Sequence, residues 1–543
     1  MLVLDIMGMT VRYGVYGFAL FLVFAASYRL LLHPLRRYPG PFLAKVTDAY
    51  AGLFAAQKRL HLVVLGLHDT HGSYADAPAP NRLLFNSPSA FKAIYQNDDR
   101  ITKSFTYELL TRNGVYSVFN TLDRKMHAYK RKIVGHAFSQ RSIRSFEPAL
   151  LSQVDIYLEQ LLALSSSQQQ QQFVNMTEKL GRLAADIIGQ LALGYDLATQ
   201  TSEENRFLPR SMTLSFFVGN ISHHFPAFYR VHTNWVFDYL LYETREKFSR
   251  LLEKMVKSRL ALDTHAVPDF FSFVADELPP GEAAKTRDSV IWKESLVFLA
   301  AGADSVTTAM AAAFFYLSRN PACYARLAEE IRSAFGRGNE IREGSRLAGC
   351  RYLRACIDEA LRMSPPAPAN LWRQQVAEDE PLVIDGRFIP RGTLFGVNLY
   401  ALGHNAAVFP EPFAFKPERW LPLDDDGTAE AKQDETARKA ALEGFSAFSI
   451  GPRNCVGKPL AYLETSLVLA KTLWYFDFAA AEGTLGAVGE RRRDRGRPGE
   501  FETWDVFNSS HDGPYLVFRS RESVSSLKED LEIRAAATTG GTT

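Results

Sequence analysis

The chain has 543 residues, 47% hydrophobic and 22% charged, with a formal net charge of +2. This balance excludes a disordered chain and gives no bulk electrostatic reason to expect nucleic acid as a partner. The four cysteines, Cys323, Cys350, Cys356 and Cys455, show no C-x-x-C spacing. That argues against a zinc or disulfide framework and for a body facing a reducing compartment.

The amino terminus comes first. Tyr13 to Tyr28 carries no charge, and apolar residues continue to Leu32, with Arg29 able to snorkel. Residues 1–32 therefore read as a membrane anchor of bilayer-spanning length. Arg29, Arg36, Arg37 and Lys45 follow it and only Arg12 closely precedes it, which orients the remaining chain toward the cytoplasm. The rival is a cleaved signal peptide at Ala25-Ala26-Ser27, which the cysteine usage disfavours. Residues 33–44, beginning HPLRRYPGP, read as a proline-rich hinge that stops the helix.

Residues 45–520 read as one mainly α body with small β-sheets. Helical periodicity dominates near 88–95, 142–163, 174–194, 232–260, 289–318, 321–337, 350–363 and 458–474. Strand patterns are short: Asn81 to Asn86, Leu382 to Ile384, Thr393 to Asn398 and Tyr515 to Phe518. Solvated insertions are expected at Ser165 to Gln172, Asp424 to Lys439 and Glu490 to Glu500. Residues 521–543 are expected to be a disordered tail.

The segment FSIGPRNCVGKPLA, Phe448 to Ala461, sets one cysteine between glycines and beside an arginine. Cys455 falls at the start of an apolar-periodic helix, where exposed N–H groups favour an anionic sulfur. Gly451 and Gly457 permit tight turns and close approach of a flat group. Arg453 offers a fork for a carboxylate, and Phe448 can shield the sulfur from water. The local frame points to a metal ligand more than to a nucleophile.

The complete F-x-x-G-x-R-x-C-x-G pattern resembles the haem-binding signature of the cytochrome P450 family. The resemblance implies the fold of that family, with haem b (heme b) between a long central helix and the cysteine loop. It implies Cys455 as the axial iron ligand, with Phe448, Arg453 and Gly457 around it. Glu359-Ala360-Leu361-Arg362 and PFAFKPERW, Pro412 to Trp420, are similar to two further family motifs. They imply a structural network of Glu359, Arg362 and Arg419. Arg373, after SPPAPANLW, and His127 and Arg131, in DRKMHAYKRK, occupy places implying haem-propionate contacts.

Ser295 to Ser318 carries one charge, Asp304, and a second membrane span is its rival reading. Gly302, Asp304, Ser305, Thr307 and Thr308 cluster at its centre, where polar groups facing lipid would be costly. The A-G-x-D-[ST] pattern also resembles the family's central helix. That implies Gly302 making room for dioxygen and Asp304 and Ser305 guiding protons. Ser305 stands where the family usually has threonine, which keeps the hydroxyl and loses the rotamer-restricting methyl.

The resemblance implies a monooxygenase that inserts one oxygen atom from O2 into a lipophilic small molecule, in the manner of fungal microsomal enzymes. Such chains include benzoate 4-monooxygenase-like and secondary-metabolite enzymes. With no convincing G-x-G-x-x-G, electrons are expected from a separate NADPH-cytochrome P450 reductase on the endoplasmic reticulum membrane. Phe298, Ala301, Asn370, Leu371 and the loop from Thr102 to Val118 are expected to shape the pocket. A haem-thiolate isomerase, dehydratase or desaturase on the same fold is the alternative, and a non-catalytic haem sensor the remote one. HGSYADAPA, before PNRLLFN, departs from the family's usual strand-like residues and leaves the sheet edge there open.

Overall fold

The structure, a computed structural model, describes residues 2–72, 76–97, 99–110, 116–165, 172–230, 234–274, 290–376, 381–422, 429–490, 499–521, 525, 527 and 529. Most of the Ser165–Gln172 tract, the acidic start of the 424–439 insertion, the basic run and most of the tail lie outside these residues. The remainder of the 424–439 stretch corrects its loop reading. It belongs to a helix, Ala429–Gly444, whose sequence is rich in Ala, Glu and Lys, all strong helix formers.

Among the described residues two helices are long and apolar enough to cross a membrane, and packing separates them. The apolar window of Asp5–Leu31 is 0% buried, whereas that of Ile291–Arg319 is 61% buried. In the first, Leu2–Leu31, Phe18, Leu20, Phe21 and Phe24 stand bare. The second, the central helix Val290–Arg319, runs through the largest core cluster, and Met310 to Tyr316 are essentially inaccessible. The charge-poor central run is thus explained by burial in protein on several sides, and the second-span reading falls away.

Around the central helix pack Met176–Leu193, Leu208–His224, Arg351–Met363 and Lys458–Tyr475. Gly194, at φ +57, closes the first of these with a left-handed cap. Arg124–Ala137 begins where the Asp123 side chain accepts the Met126 N–H at 2.6 Å. The expected helix over 232–260 is two helices, Asn234–Leu240 and Tyr242–Leu260.

Among the described residues twelve short strands form small sheets. They are β1 (Asp76–Ala79), β2 (Arg82–Phe85), β3 (Ile101–Lys103), β4 (Val174–Asn175), β5 (Arg373–Gln375) and β6 (Leu382–Ile384). The rest are β7 (Arg387–Ile389), β8 (Leu394–Val397), β9 (Phe476–Ala480), β10 (Thr503–Val506), β11 (Asn508–His511) and β12 (Tyr515–Ser520). The largest sheet runs β1-β2-β8-β5-β3, with β2 and β8 parallel. The open question at HGSYADAPA resolves as a real edge strand. Asp76 pairs with Leu84 and Ala79 with Arg82, with an irregular register between them.

β3 and β5 set the site's electrostatics. Their antiparallel register puts Lys103 directly opposite Arg373. Both side chains are buried, and like charges facing each other across a sheet are destabilising.

Beneath the sheet, the Glu359 carboxylate collects the sequence's structural motif at one point. Arg362 donates from Nε to Oε2 and from a terminal nitrogen to Oε1, each at 2.8 Å. Arg419 Nε donates at 3.0 Å, as do the Lys416 N–H and Trp420 Nε1. Arg362 continues to the carbonyls of Gly403 and Pro412, at 2.7 Å each. The network therefore ties Arg351–Met363 to segment 403–420, which runs from the end of a short helix to a 3-10 turn. The two cations outweigh burial and hold the Glu359 carboxyl below its ordinary range. Glu359→Gln preserves shape and leaves two guanidinium groups without their counter-charge. Its expected cost is about 3–5 kcal/mol, read as a lower melting temperature of the purified protein; an unchanged melt contradicts the network's role.

Candidate active site

The cysteine loop is built by turns. The Cys455 N–H donates to the Phe448 carbonyl at 2.8 Å, and the Asn454 N–H to that of Gly451 at 3.1 Å. Gly451 has φ +74, and a Cβ there would lie 2.1 Å from the Tyr95 carbonyl oxygen. Glycine is thus required for backbone-to-backbone approach. The Phe448 ring packs on Tyr462 at 5.0 Å and takes the Lys458 ammonium over its face at 5.7 Å.

Cys455 lies three residues before the first residue of the Lys458–Tyr475 helix, whose cap is Gly457. The Gly457 and Lys458 N–H groups point at its sulfur, and Arg131 and Lys458 lend positive charge. Burial nevertheless outweighs them and raises the thiol pKa. Even so, the side chain presents open surface. A deep sulfur with open surface borders an interior space. A Cβ on Gly457 would sit 3.9 Å from it.

Basic groups converge nearby. The Arg453 guanidinium donates to the Thr121 and Leu122 carbonyls at 2.7 and 2.9 Å. Arg373 lies over the Tyr95 ring at 4.7 Å, and Lys103 over Tyr107 and Phe119 at 4.8 and 4.6 Å. His127 is buried, and burial together with Arg453, Lys103, Arg131 and Arg373 pushes its pKa down to about 3, so the ring is neutral. Lys103 is itself driven well below its ordinary value by burial, then by Arg373, Arg453 and Arg131. Such a crowd is suited to an anion with more than one carboxylate.

On the other side, the central helix opens at its middle. Ala301 is exposed and Gly302, Asp304 and Ser305 are half-exposed, although Ala303 and Val306 are buried. The Ser305 hydroxyl donates to the Ala301 carbonyl at 2.5 Å. Asp304 is hydrogen-bonded to Thr213 of Leu208–His224, and burial raises its carboxyl to about 7.

A family profile described as Cytochrome P450 matches residues 58–485. The cytochrome P450 monooxygenase AKT7 of Alternaria alternata is 33% identical over 505 residues, covering 91% of this chain and 94% of the relative. The cytochrome P450 monooxygenase poxM of Penicillium oxalicum is 34% identical over 516 residues, covering 92% and 93%. The cytochrome P450 monooxygenase apf7 of Gibberella fujikuroi is 32% identical over 527 residues, covering 92% and 96%. This chain belongs to the cytochrome P450 family. It is a haem-thiolate monooxygenase by that membership, and members of the family carry haem iron on a cysteine sulfur.

In this P450 the structure brings together Cys455, Gly457, Phe448, Arg453, Arg373, His127 and Arg131, and gives several of the expected site residues contacts of their own. Arg131 donates from one terminal nitrogen to the Asn454 carbonyl at 2.6 Å and from the other to the Asn454 side chain. Its fork therefore holds the cysteine loop. Gly302 does not simply open room for dioxygen: a Cβ there would lie 2.6 Å from Ile188 of Met176–Leu193, so the glycine permits helix contact. Phe298 is buried among Phe270 and Phe138, at 5.1 and 6.2 Å, rather than standing open like Ala301. Asn370 is buried, its side-chain oxygen accepting from Asn398 at 2.7 Å. Leu371 is half-buried and gives its carbonyl to the Tyr95 hydroxyl at 2.8 Å. In the expected pocket loop, 111–115 lie outside the described residues.

Sequence reasoning covered Lys103 and Tyr107 only as members of the Thr102 to Val118 loop, and missed Phe119, Phe216, His223 and Phe507. Tyr107 and the last four form a ring cluster, with Tyr107 4.9 Å from His223, Phe119 5.7 Å from Phe507 and Phe216 stacked on Phe507 at 6.4 Å. Phe507, at the β10–β11 turn, has φ +85, an unusual conformation for a bulky side chain. No signal but fold proximity joins these residues. Lys103 had one faint signal, a lysine ending a β-branched pair, Ile101-Thr102.

The raised Asp304 pKa has a consequence with a definite sign. Between about pH 4 and 7 the unfolded carboxyl, at its ordinary 3.8, ionises while the folded one stays protonated. Its contribution to stability is therefore neutral at low pH, falls through that window and remains unfavourable above 7. Asp304→Asn should melt higher than the natural protein at pH 8 and nearly equally at pH 4. Equal differences at both pH values contradict the assignment.

Proposed function

We propose that the Cys455 thiolate would hold the iron of haem b and that Lys103, His127, Arg373 and Arg453 would hold its propionates. The observation that carries this reading is the open sulfur of Cys455, deep in the protein beneath convergent N–H groups, beside a buried crowd of cations. When bound, thiolate-ligated haem supplies dioxygen activation, the sulfur donating electron density that favours O–O cleavage.

The chain's own residues do the rest. Arg131 fixes Asn454 and so the loop carrying the sulfur. The Phe448 ring covers the loop and excludes water. Asp304, titrating near neutrality, can hold or release a proton at physiological pH. The Ser305 hydroxyl, one residue on, donates to the Ala301 carbonyl in the resting arrangement and has lone pairs free to accept. Rotation of that hydroxyl passes a proton into the open space beside Ala301. The ring cluster around Phe507 and the open Ala301 suit a lipophilic substrate.

The bare Leu2–Leu31 helix supports a membrane anchor, with the basic residues after it favouring a cytoplasmic catalytic body on the endoplasmic reticulum. An NADPH-cytochrome P450 reductase on the same membrane is the expected electron source. The test is turnover of a panel of lipophilic compounds by full-length protein and reductase in phospholipid vesicles under 18O-labelled O2. One labelled oxygen atom per product, with NADPH consumed, is expected. Product formed without label and without NADPH would instead indicate an isomerase or dehydratase.

A further inference from the structure

Glu294 lies on the same face of the central helix as Phe298, Ala301 and Ser305, at spacings of four, seven and eleven. It is buried, and an ionised carboxylate there demands partners. It has two. The Val118 N–H donates to both of its oxygens, at 3.0 and 3.1 Å. The Lys130 ammonium donates at 2.9 Å. Lys130 sits on Arg124–Ala137, between His127 and Arg131.

Val118 belongs to a short segment that folds on itself. The Ser117 N–H and hydroxyl donate to the Asn120 side-chain oxygen at 2.7 and 2.9 Å, and Thr121 donates to the Ser117 carbonyl through both N–H and hydroxyl. Charged groups hold this segment from two directions. Lys103 takes the Phe119 carbonyl, and Arg453 takes those of Thr121 and Leu122. Glu294 takes the opposite, N–H side. Phe119 is central to the segment, its ring meeting Tyr107 at 5.6 Å and Phe507 at 5.7 Å. The Phe507 hairpin reaches the central helix through the Thr308 hydroxyl, which donates to the Ser509 carbonyl at 3.4 Å. The ring cluster is therefore bracketed by the basic crowd and the open stretch of the central helix.

We propose that Glu294 is a positioning residue that, through the Val118 N–H, fixes Phe119 as one aromatic wall of the substrate cavity and so sets the size of molecule admitted. Three hydrogen bonds to one buried carboxylate bind the wall to the central helix and to Arg124–Ala137 together. The wall thus moves with the helices that carry Ser305 and His127. This rests on the reading that the open stretch at Ala301 and Ser305 faces the reaction space.

Two azole probes of different size test it in the haem-loaded full-length protein: imidazole, and the bulky triaryl azole clotrimazole, each followed by the spectral shift of nitrogen binding to iron. Glu294→Gln is expected to speed amide hydrogen exchange at Val118 about tenfold, with the rest of the central helix unchanged. Its clotrimazole Kd should change at least about fivefold, with imidazole within about twofold. Phe119→Ala should reproduce the clotrimazole change alone. Unaltered exchange at Val118, or both azoles shifting in parallel in Glu294→Gln, overturns the proposal. Failure of the full-length protein to take up haem would instead overturn the haem reading, while Val118 exchange would still report on Glu294.

Discussion

Lys103 and Arg373 stand opposite each other on adjacent strands, both buried, with Arg453 and Arg131 close by. A protein interior tolerates such like-charge crowding only where an anion or a functional demand compensates it. The arrangement of β3, β5, Arg124–Ala137 and the cysteine loop follows from this constraint. Each element brings a cation to the same region, and each is tied down by backbone carbonyls rather than by another side chain's charge. Arg453 holds the 121–122 turn, Lys103 holds Phe119, and Arg131 holds Asn454. The cations thus build the loops around the region they electrify.

Rigidity is supplied from beneath. The five hydrogen bonds converging on Glu359 fix Arg351–Met363 against segment 403–420, and Arg351–Met363 packs on both the central helix and the Lys458–Tyr475 helix. The sulfur-bearing loop therefore begins from a fixed platform. On the opposite side, Gly302 lets Met176–Leu193 approach the central helix closely enough to hold it in place. The stretch from Ala301 to Ser305 can then be open without collapsing. Asp304 carries the cost: burial raises its carboxyl to about 7, which leaves a destabilised group in this opening.

Local patterns in the sequence were legible where local physics decides the outcome. The cysteine loop, E-x-x-R on one helical turn and the strand Leu382–Ile384 depend on neighbours a few residues away. Leu208–His224 was not legible because it is buried on more than one side, so Ser211, Asn220 and His223 fall where a clean apolar stripe would be expected. Phe298 also packs in a ring cluster and Asn370 accepts from Asn398, contacts that chain position alone does not indicate. Lys103 and Phe507 take their places through strand pairing and hairpin closure: Lys103 faces Arg373, 270 residues on, and the Phe507 hairpin meets the central helix through Thr308 and Ser509, 201 residues apart. Sequence separations of that size carry no periodic trace.

Sulfur ligation at Cys455 is the claim on which the remaining assignments rest. The ferrous carbon-monoxide difference spectrum of the full-length protein measures it most directly, taken beside Cys455→His with haem content determined for both. The natural protein should give the strongly red-shifted Soret band of a thiolate trans to carbon monoxide. The histidine variant, if it retains haem, should give the shorter-wavelength band of a neutral nitrogen donor. A red-shifted band that persists unchanged in Cys455→His, or a fully haem-loaded natural protein that lacks it, would contradict the account.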